Sequence, residues 1–259
     1  MFRLCSLKSK NSKKVKMLYL IGLGLDVKDT SLKGLEVIKR CEKVYLEAYT
    51  NEFPYPLMKL ERVIGKKVVR ADREFVEQNS QLLEEAKKHD VCLLVYGSPL
   101  AATTHFELLL RAAKMKVKAE VIHASSVFTA VSSCGLQLYK FGKVASIPRW
   151  QKSYAPESFF DVFLENRKIN AHTLLLIDIG LSVKDALAQL SQVAIKRGEK
   201  LDKIIVCSCL GTSRQKIFYD SLDRLKDRLK ASKIATPACI IIPASLHFLE
   251  AEALENFAI

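Results

Sequence analysis

The sequence predicts an α/β protein built as two α/β domains with a cleft between them. Three observations carry this. Continuous apolar runs of strand length, such as MLYLIGLGL at 17–25 and DVCLLVY at 90–96, alternate with amphipathic stretches of helical period. Such runs lack in–out alternation, so they read as strands covered on both faces, the mark of a parallel sheet. The alternation pauses at LQLYKFGK, residues 136–143, and then begins again.

Taken in order, residues 17–25 form the first strand. Thr30 or Ser31 caps a helix carrying Leu32, Leu35, Val37 and Ile38. KVYLEAY (43–49) is a second strand, 57–64 a helix, and KKVVRA (66–71) a short strand. Residues 80–88 are helical and lead into the strand at 90–96. A helix at 106–116, the strand AEVIHA (119–124) and a helix capped by Ser125 or Ser126 and ending near Gly135 complete the first half. After the connector come a short strand at VASIP, a helix after Pro156, the strand HTLLLIDIG (172–180), a helix at 183–196 and the strand KIIVCSCLG (203–211). An amphipathic helix at 216–230, the strand PACIIIPASL (237–246) and a last helix with Leu249, Leu254 and Phe257 end the chain. The expected domains are 17–136 and 143–259, preceded by a basic extension, 1–16, outside the fold.

Composition narrows the class. With 259 residues and 49% hydrophobic content, the chain can bury a full core, and modest glycine and proline exclude a fibrous or disordered protein. No apolar run approaches the roughly 18 residues of a membrane span, and the first residues carry no signal-peptide core. Seven scattered cysteines fit reduced thiols in a cytoplasmic protein rather than a disulfide framework. Cys207 and Cys209 lack a second Cys or His pair, so no metal site is expected. Of the net charge of +13, six units sit on Arg3, Lys8, Lys10, Lys13, Lys14 and Lys16, so the folded body is only moderately basic.

Three stretches at strand ends carry small and hydroxyl residues, where α/β sheets bind ligands. The first is IGLGLD, residues 21–26. Its Gly-x-Gly resembles a dinucleotide turn, with Glu47 in place of the ribose-binding acid. The third glycine of that fingerprint falls on Val27, so the nicotinamide-dinucleotide reading is weak. Gly24 reads as the point where backbone and ligand meet. The second is GSPLAATTH, 97–105, and the third is HASSVFTAVSSCGL, 123–136. None supplies a nucleophile–base pair, a GxSxG elbow or a Walker lysine, so no catalytic side chain is named. A site of glycines, small residues and hydroxyls suits a cofactor that brings its own reactivity.

These loops occur together with YGSPLAATTH, VIHASSVFTAVSSCGLQLYKFGK, HTLLLIDI and PASLHFLEAE. In this order they resemble the diphthine synthase family, within the tetrapyrrole-methylase-like class of methyltransferases, from Met17 to about Glu252. The resemblance implies two α/β domains with S-adenosyl-L-methionine in the cleft, and a homodimer. It implies methylation of the amino group of the modified histidine of translation elongation factor 2, in diphthamide biosynthesis. The eukaryotic type also esterifies the carboxylate. Membrane and nucleic-acid partners are not expected.

By motif, the cofactor-binding positions are Leu25, Ser98, Ala101, Ser126, Val127, Ile177, Leu210 and Ala238. Two departures stand out. Ser98 replaces the family's Asp, and the stretch after Ile179 is shortened and lacks the family's Met-Thr. Two alternatives stay open on sequence: a methyltransferase of the same fold acting on ribosomal RNA or a tetrapyrrole, and a non-catalytic relative that binds the cofactor or the elongation factor.

Overall fold

The structure is a computed structural model that describes residues 15–50, 52–229 and 234–259. The expected extension therefore lies almost wholly outside the described residues. Lys16, at its end, forms an exposed ion pair with Glu42.

The first half forms a five-stranded, fully parallel sheet. Its strands are β1 (Met17–Gly22), β2 (Lys43–Glu47), β3 (Val69–Ala71), β4 (Val91–Val95) and β5 (Lys118–Ile122), in the order β3-β2-β4-β1-β5. Helices α1 (Leu32–Arg40), α2 (Leu57–Ile64), α3 (Gln81–Lys88) and α4 (His105–Lys114) connect them. β1 and β4 are almost entirely buried because helices cover both faces, one core holding Ile21, Leu94 and Ile38, the other Leu20, Leu93 and Leu83. Ser31 caps α1 by accepting the Gly34 N–H at 3.0 Å. A five-residue π-helical turn at Glu74–Gln78 has no counterpart in the sequence reading. Its carbonyls at Val76 and Glu77 are taken by Arg111 of α4.

The second half holds β6 (Ala145–Ile147), β7 (Thr173–Ile177), β8 (Lys203–Ser208), β9 (Lys216–Ser221) and β10 (Ala238–Ile242), in the order β6-β7-β10-β8-β9. This sheet is mixed. β10 runs antiparallel to both β7 and β8, which brings its first residues beside the last residues of its neighbours. α6 (Ser158–Lys168), α7 (Val183–Lys196) and α8 (Leu222–Leu229) cover one face around Phe159, Phe160, Leu187 and Leu225. α9 (Phe248–Glu255) lies on the other face.

The expected helix at 216–230 is corrected. Its first six residues, KIFYDS, form the edge strand β9, paired antiparallel with β8 from Lys203↔Ser221 to Ser208↔Lys216. Ile217, Phe218 and Tyr219 favour a pleated, half-buried surface, and β8 offers them an open edge. Helix begins only at Leu222, where Leu222, Leu225 and Leu229 fall on one buried face.

The two halves share a core. The short helix α5 (Val127–Ala130) and the turn after it send Val131, Cys134 and Leu136 against Leu174, Ile205, Cys207, Ile241 and Leu254 of the second half. A buried polar cluster locks the connector. Glu250 of α9 pairs with Lys140 and accepts N–H groups from Gln137 at 2.9 Å and His247 at 2.8 Å. His172 donates to it from Nε2 at 3.1 Å and accepts the Ala244 N–H at Nδ1. Burial pushes the His172 imidazole down, so the ring stays neutral at pH 7.

Burial opposes ionisation of Glu250, but the Lys140 ammonium, the two N–H groups and His172 outweigh it and hold the carboxyl at about 2. A carboxylate held this low adds stability above its ordinary range and loses it as the pH falls toward the folded value. We therefore expect Glu250→Gln to cost about 2 kcal/mol at pH 7, with the gap from wild type closing between about pH 5 and pH 2. Denaturant titrations of both proteins across that range measure it. A gap independent of pH refutes the assignment.

Candidate functional site

The order β4-β1-β5 sets the carboxyl ends of these three strands side by side. The three small-residue stretches found in the sequence follow those strands, so the sheet gathers them into one wall.

The first two are joined backbone to backbone. Gly24 N–H donates to the Gly97 carbonyl at 3.1 Å and Gly97 N–H donates back at 2.9 Å. Both glycines lie in the left-handed region, at φ 70° and 73°, which a side chain would strain. Asp29 organises the rest of the first loop. Its Oδ2 accepts Leu25 N–H at 3.1 Å, Asp26 N–H at 3.0 Å and the Ser125 hydroxyl at 3.3 Å, which ties the first loop to the third. The Tyr96 hydroxyl donates to the Leu25 carbonyl at 3.1 Å, and burial keeps that phenol protonated.

Gly24 stands in a different place from the one expected. A Cβ there would collide with Asp29 Cβ and come within 2.9 Å of Ser125 Oγ, so its missing side chain makes room for the loop itself. Glu47, the apparent ribose acid, is buried. It accepts the Tyr49 and Thr50 N–H groups at 2.7 Å each, so it serves a turn. Val27 is buried in the core where the fingerprint wants glycine.

The second loop is held by its own residues. His105 donates from Nδ1 to the Pro99 carbonyl at 3.0 Å and Thr103 donates to the same oxygen at 2.5 Å. Ala102 is forced to φ 56°, a costly conformation for a residue with a Cβ. Ser98 Oγ lies 3.2 Å from His123 Nδ1. Ser126 begins α5 with a reciprocal cap to Thr129.

The opposite wall comes from the second sheet, through the ends of β6, β7 and β8, the start of β10, and the turn after β8, where Cys209 also has a positive φ of 48°. Between the walls lies a cavity of about 200 Å³. Leu25, Ser98, Ala101, Ser126, Val127, Ile177, Leu210 and Ala238 all line it. Sequence reasoning did not single out Thr50, Tyr96, Asp178 or Cys239, and weighed Cys207 only as a metal ligand; all five line it too. The pairing Cys239↔Cys207 across β10 and β8 places the two thiols together, and no linear motif shows that. Hydrogen bonding to Cys134 and Cys239, with burial, pushes the Cys207 thiol well up, so it is no activated nucleophile.

Residues 17–226 match the model of the tetrapyrrole (corrin/porphyrin) methylases. The chain belongs to this family. It is 41% identical to the diphthine methyl ester synthase of Homo sapiens and 37% identical to that of Schizosaccharomyces pombe, each match covering 94% of this chain and 95% of the relative. A crystal structure of a diphthine synthase superposes with a TM-score of 0.82 at 36% identity, covering 93% of this chain and 96% of the other. These likenesses make the chain an S-adenosylmethionine-dependent methyltransferase of the diphthine synthase type.

Gly24→Val must displace Asp29 and so loosen two loops at once. We expect a loss of about 2–4 kcal/mol in stability, from strained φ and overpacking together. Thermal unfolding measures it, and an unchanged melting temperature shows that Asp29 is not fixed as described.

Proposed function

We propose that the chain transfers methyl groups from S-adenosylmethionine to the modified histidine of translation elongation factor 2, a step of diphthamide biosynthesis, with the donor held between the two walls. The observation that carries the assignment of the cavity is that all eight positions expected from the family motifs meet there. The curated relatives are named methyl ester synthases, which adds the carboxylate of the same side chain as an acceptor beside its amine. No helix among the described residues is long and apolar enough to cross a membrane. A cytoplasmic enzyme acting as a homodimer, with domains at 17–136 and 143–259, completes the proposal.

The lining suits an amphipathic donor. Leu25, Val127, Ile177 and Leu210 offer apolar surface to the faces of a flat ring, with Leu25 and Val127 on one wall and Ile177 and Leu210 on the other. The Ser98 and Ser126 hydroxyls can meet polar edges, and Ala101 and Ala102 leave room beside the second loop. When bound, the donor supplies a sulfonium carbon already primed for displacement. The chain's own contribution is alignment, and proximity can supply about 7–11 kcal/mol of such a barrier. The rigid backbone bridge at Gly24 and Gly97 and the Asp29 ties serve that purpose. A partly desolvated cavity also lowers the pKa of an entering amine by disfavouring its charged form. Hydrogen bonding and burial disfavour the Cys207 thiolate, so no covalent step is assigned to it.

Tritiated S-adenosylmethionine, incubated with elongation factor 2 carrying the unmethylated precursor, is expected to label the factor. Ribosomes offered in its place stay unlabelled. Label in ribosomal RNA alone overturns the proposal. Within the site, Ser98→Asp adds a carboxylate beside a cationic ligand. It is expected to tighten donor binding by up to about tenfold, because a charged hydrogen bond exceeds a neutral one by about 1 kcal/mol. Ser98→Ala changes binding little. Titration calorimetry measures both, and weaker binding by Ser98→Asp removes Ser98 from the donor's cationic side.

A further inference from the structure

Among the described residues that line the cavity, Asp178 carries the only charged side chain. It is the first residue beyond β7 and its position is fixed four ways. Its N–H donates to the Ile147 carbonyl at 3.2 Å, and its carbonyl accepts Leu181 N–H at 3.1 Å. Oδ1 accepts Ile179 N–H at 2.9 Å, and Oδ2 lies 3.5 Å from Arg149 N–H. The carboxylate thus meets main-chain N–H groups. Among the described residues it forms no ion pair with a basic side chain. The Arg149 guanidinium lies nearby, 3.7 Å from where a Gly180 Cβ would stand, without pairing to the carboxylate. An anion held by the backbone at the rim of a cavity, with no ion pair among the described residues, is arranged to receive a cation from outside.

The cavity has a deep end and a rim. Leu25, Ser98, Ser126, Cys207 and Leu210 are buried, whereas Asp178 and Ile179 are exposed. A small donor fills the deep end. An acceptor attached to a large protein can reach only the rim. We propose that Asp178 binds the cationic amine of the incoming acceptor side chain. This rests on the proposed reading of the cavity as the methyl-transfer site.

The chemistry agrees with that position. An amine free in water arrives as an ammonium, and an exposed carboxylate attracts it to a protein whose net charge of +13 would otherwise repel it. Attack requires the neutral amine, and its proton leaves to the solvent that reaches the exposed rim. The nitrogen lone pair forms the new N–C bond as the S–C bond breaks, and that electron pair stays on the departing thioether. The positive charge therefore passes to nitrogen. Each methylated product is again a cation beside Asp178, so the carboxylate retains it for the next transfer. A carboxylate acceptor gains nothing from Asp178.

Asp178→Asn keeps a side-chain oxygen for the Ile179 N–H and removes the charge, and its melting temperature is expected to match wild type. With elongation factor 2 carrying the unmethylated precursor, its KM is expected to rise about tenfold, the scale of one well-placed charge pair. Its calorimetric Kd for S-adenosylmethionine stays within about twofold of wild type. Asp178→Glu restores part of the KM, and mass spectrometry of the variant's product shows monomethylated factor accumulating. Wild-type protein that labels no elongation factor overturns the underlying reading. Active wild type beside an Asp178→Asn variant of unchanged KM overturns the Asp178 assignment alone. A raised donor Kd with normal KM also overturns it, and gives the carboxylate to the donor.

Discussion

The two-way hydrogen bond between Gly24 and Gly97 is the constraint on which the site depends. It joins the ends of β1 and β4 by main chain alone, with no side chain whose rotamer could drift. Only residues tolerant of positive φ can make it, which is why both positions are glycine. Asp29 then extends the weld to the third loop through Ser125. One side of the cavity is therefore a rigid surface before any ligand arrives, and ordering cost on binding is correspondingly small.

The opposite side is built differently. Its residues come from strand interiors and strand ends of a mixed sheet, and the reversed direction of β10 is what brings Ala238 and Cys239 level with Ile177 and Cys207. Strain is present on both sides, at Ala102 and at Cys209, each next to a residue whose side chain faces the cavity. Non-glycine residues held at positive φ cost on the order of 1–3 kcal/mol, and they persist where surrounding contacts over-determine them. Here the Pro99 carbonyl, taken by both His105 and Thr103, supplies that restraint for the second loop.

Much of this was legible in the chain. Continuous apolar runs marked β1 and β4, and α7 was legible with its bounds at Val183 and Lys196. The eight positions expected from motif resemblance each sit in a short local pattern, and all of them line the cavity. What failed was non-local. The segment KIFYDS contains helix-compatible spacing, and its strand state is decided by the open edge of β8, some ten residues away in sequence but unpredictable from period. Gly24 looked like a ligand contact because its missing side chain has two explanations, and only the position of Asp29 chooses between them. Asp178 was passed over because a lone carboxylate at a strand end has no signature. Its meaning comes from the absence of a paired cation among its described neighbours.

The packing of Val131, Cys134 and Leu136 against Leu174, Ile205 and Leu254 has a consequence for how the molecule comes apart. A segment that leaves the parallel sheet to complete the core beneath the mixed one acts as a dowel through both. Pulling the halves open like a clam shell would expose that apolar core. The cavity therefore exchanges its contents by small motions at the rim, and the two sheets share the fate of one melting unit. In a slow-exchange hydrogen experiment the amides of β1 and β7 would open together, although among the described residues no strand of one sheet is hydrogen-bonded to a strand of the other.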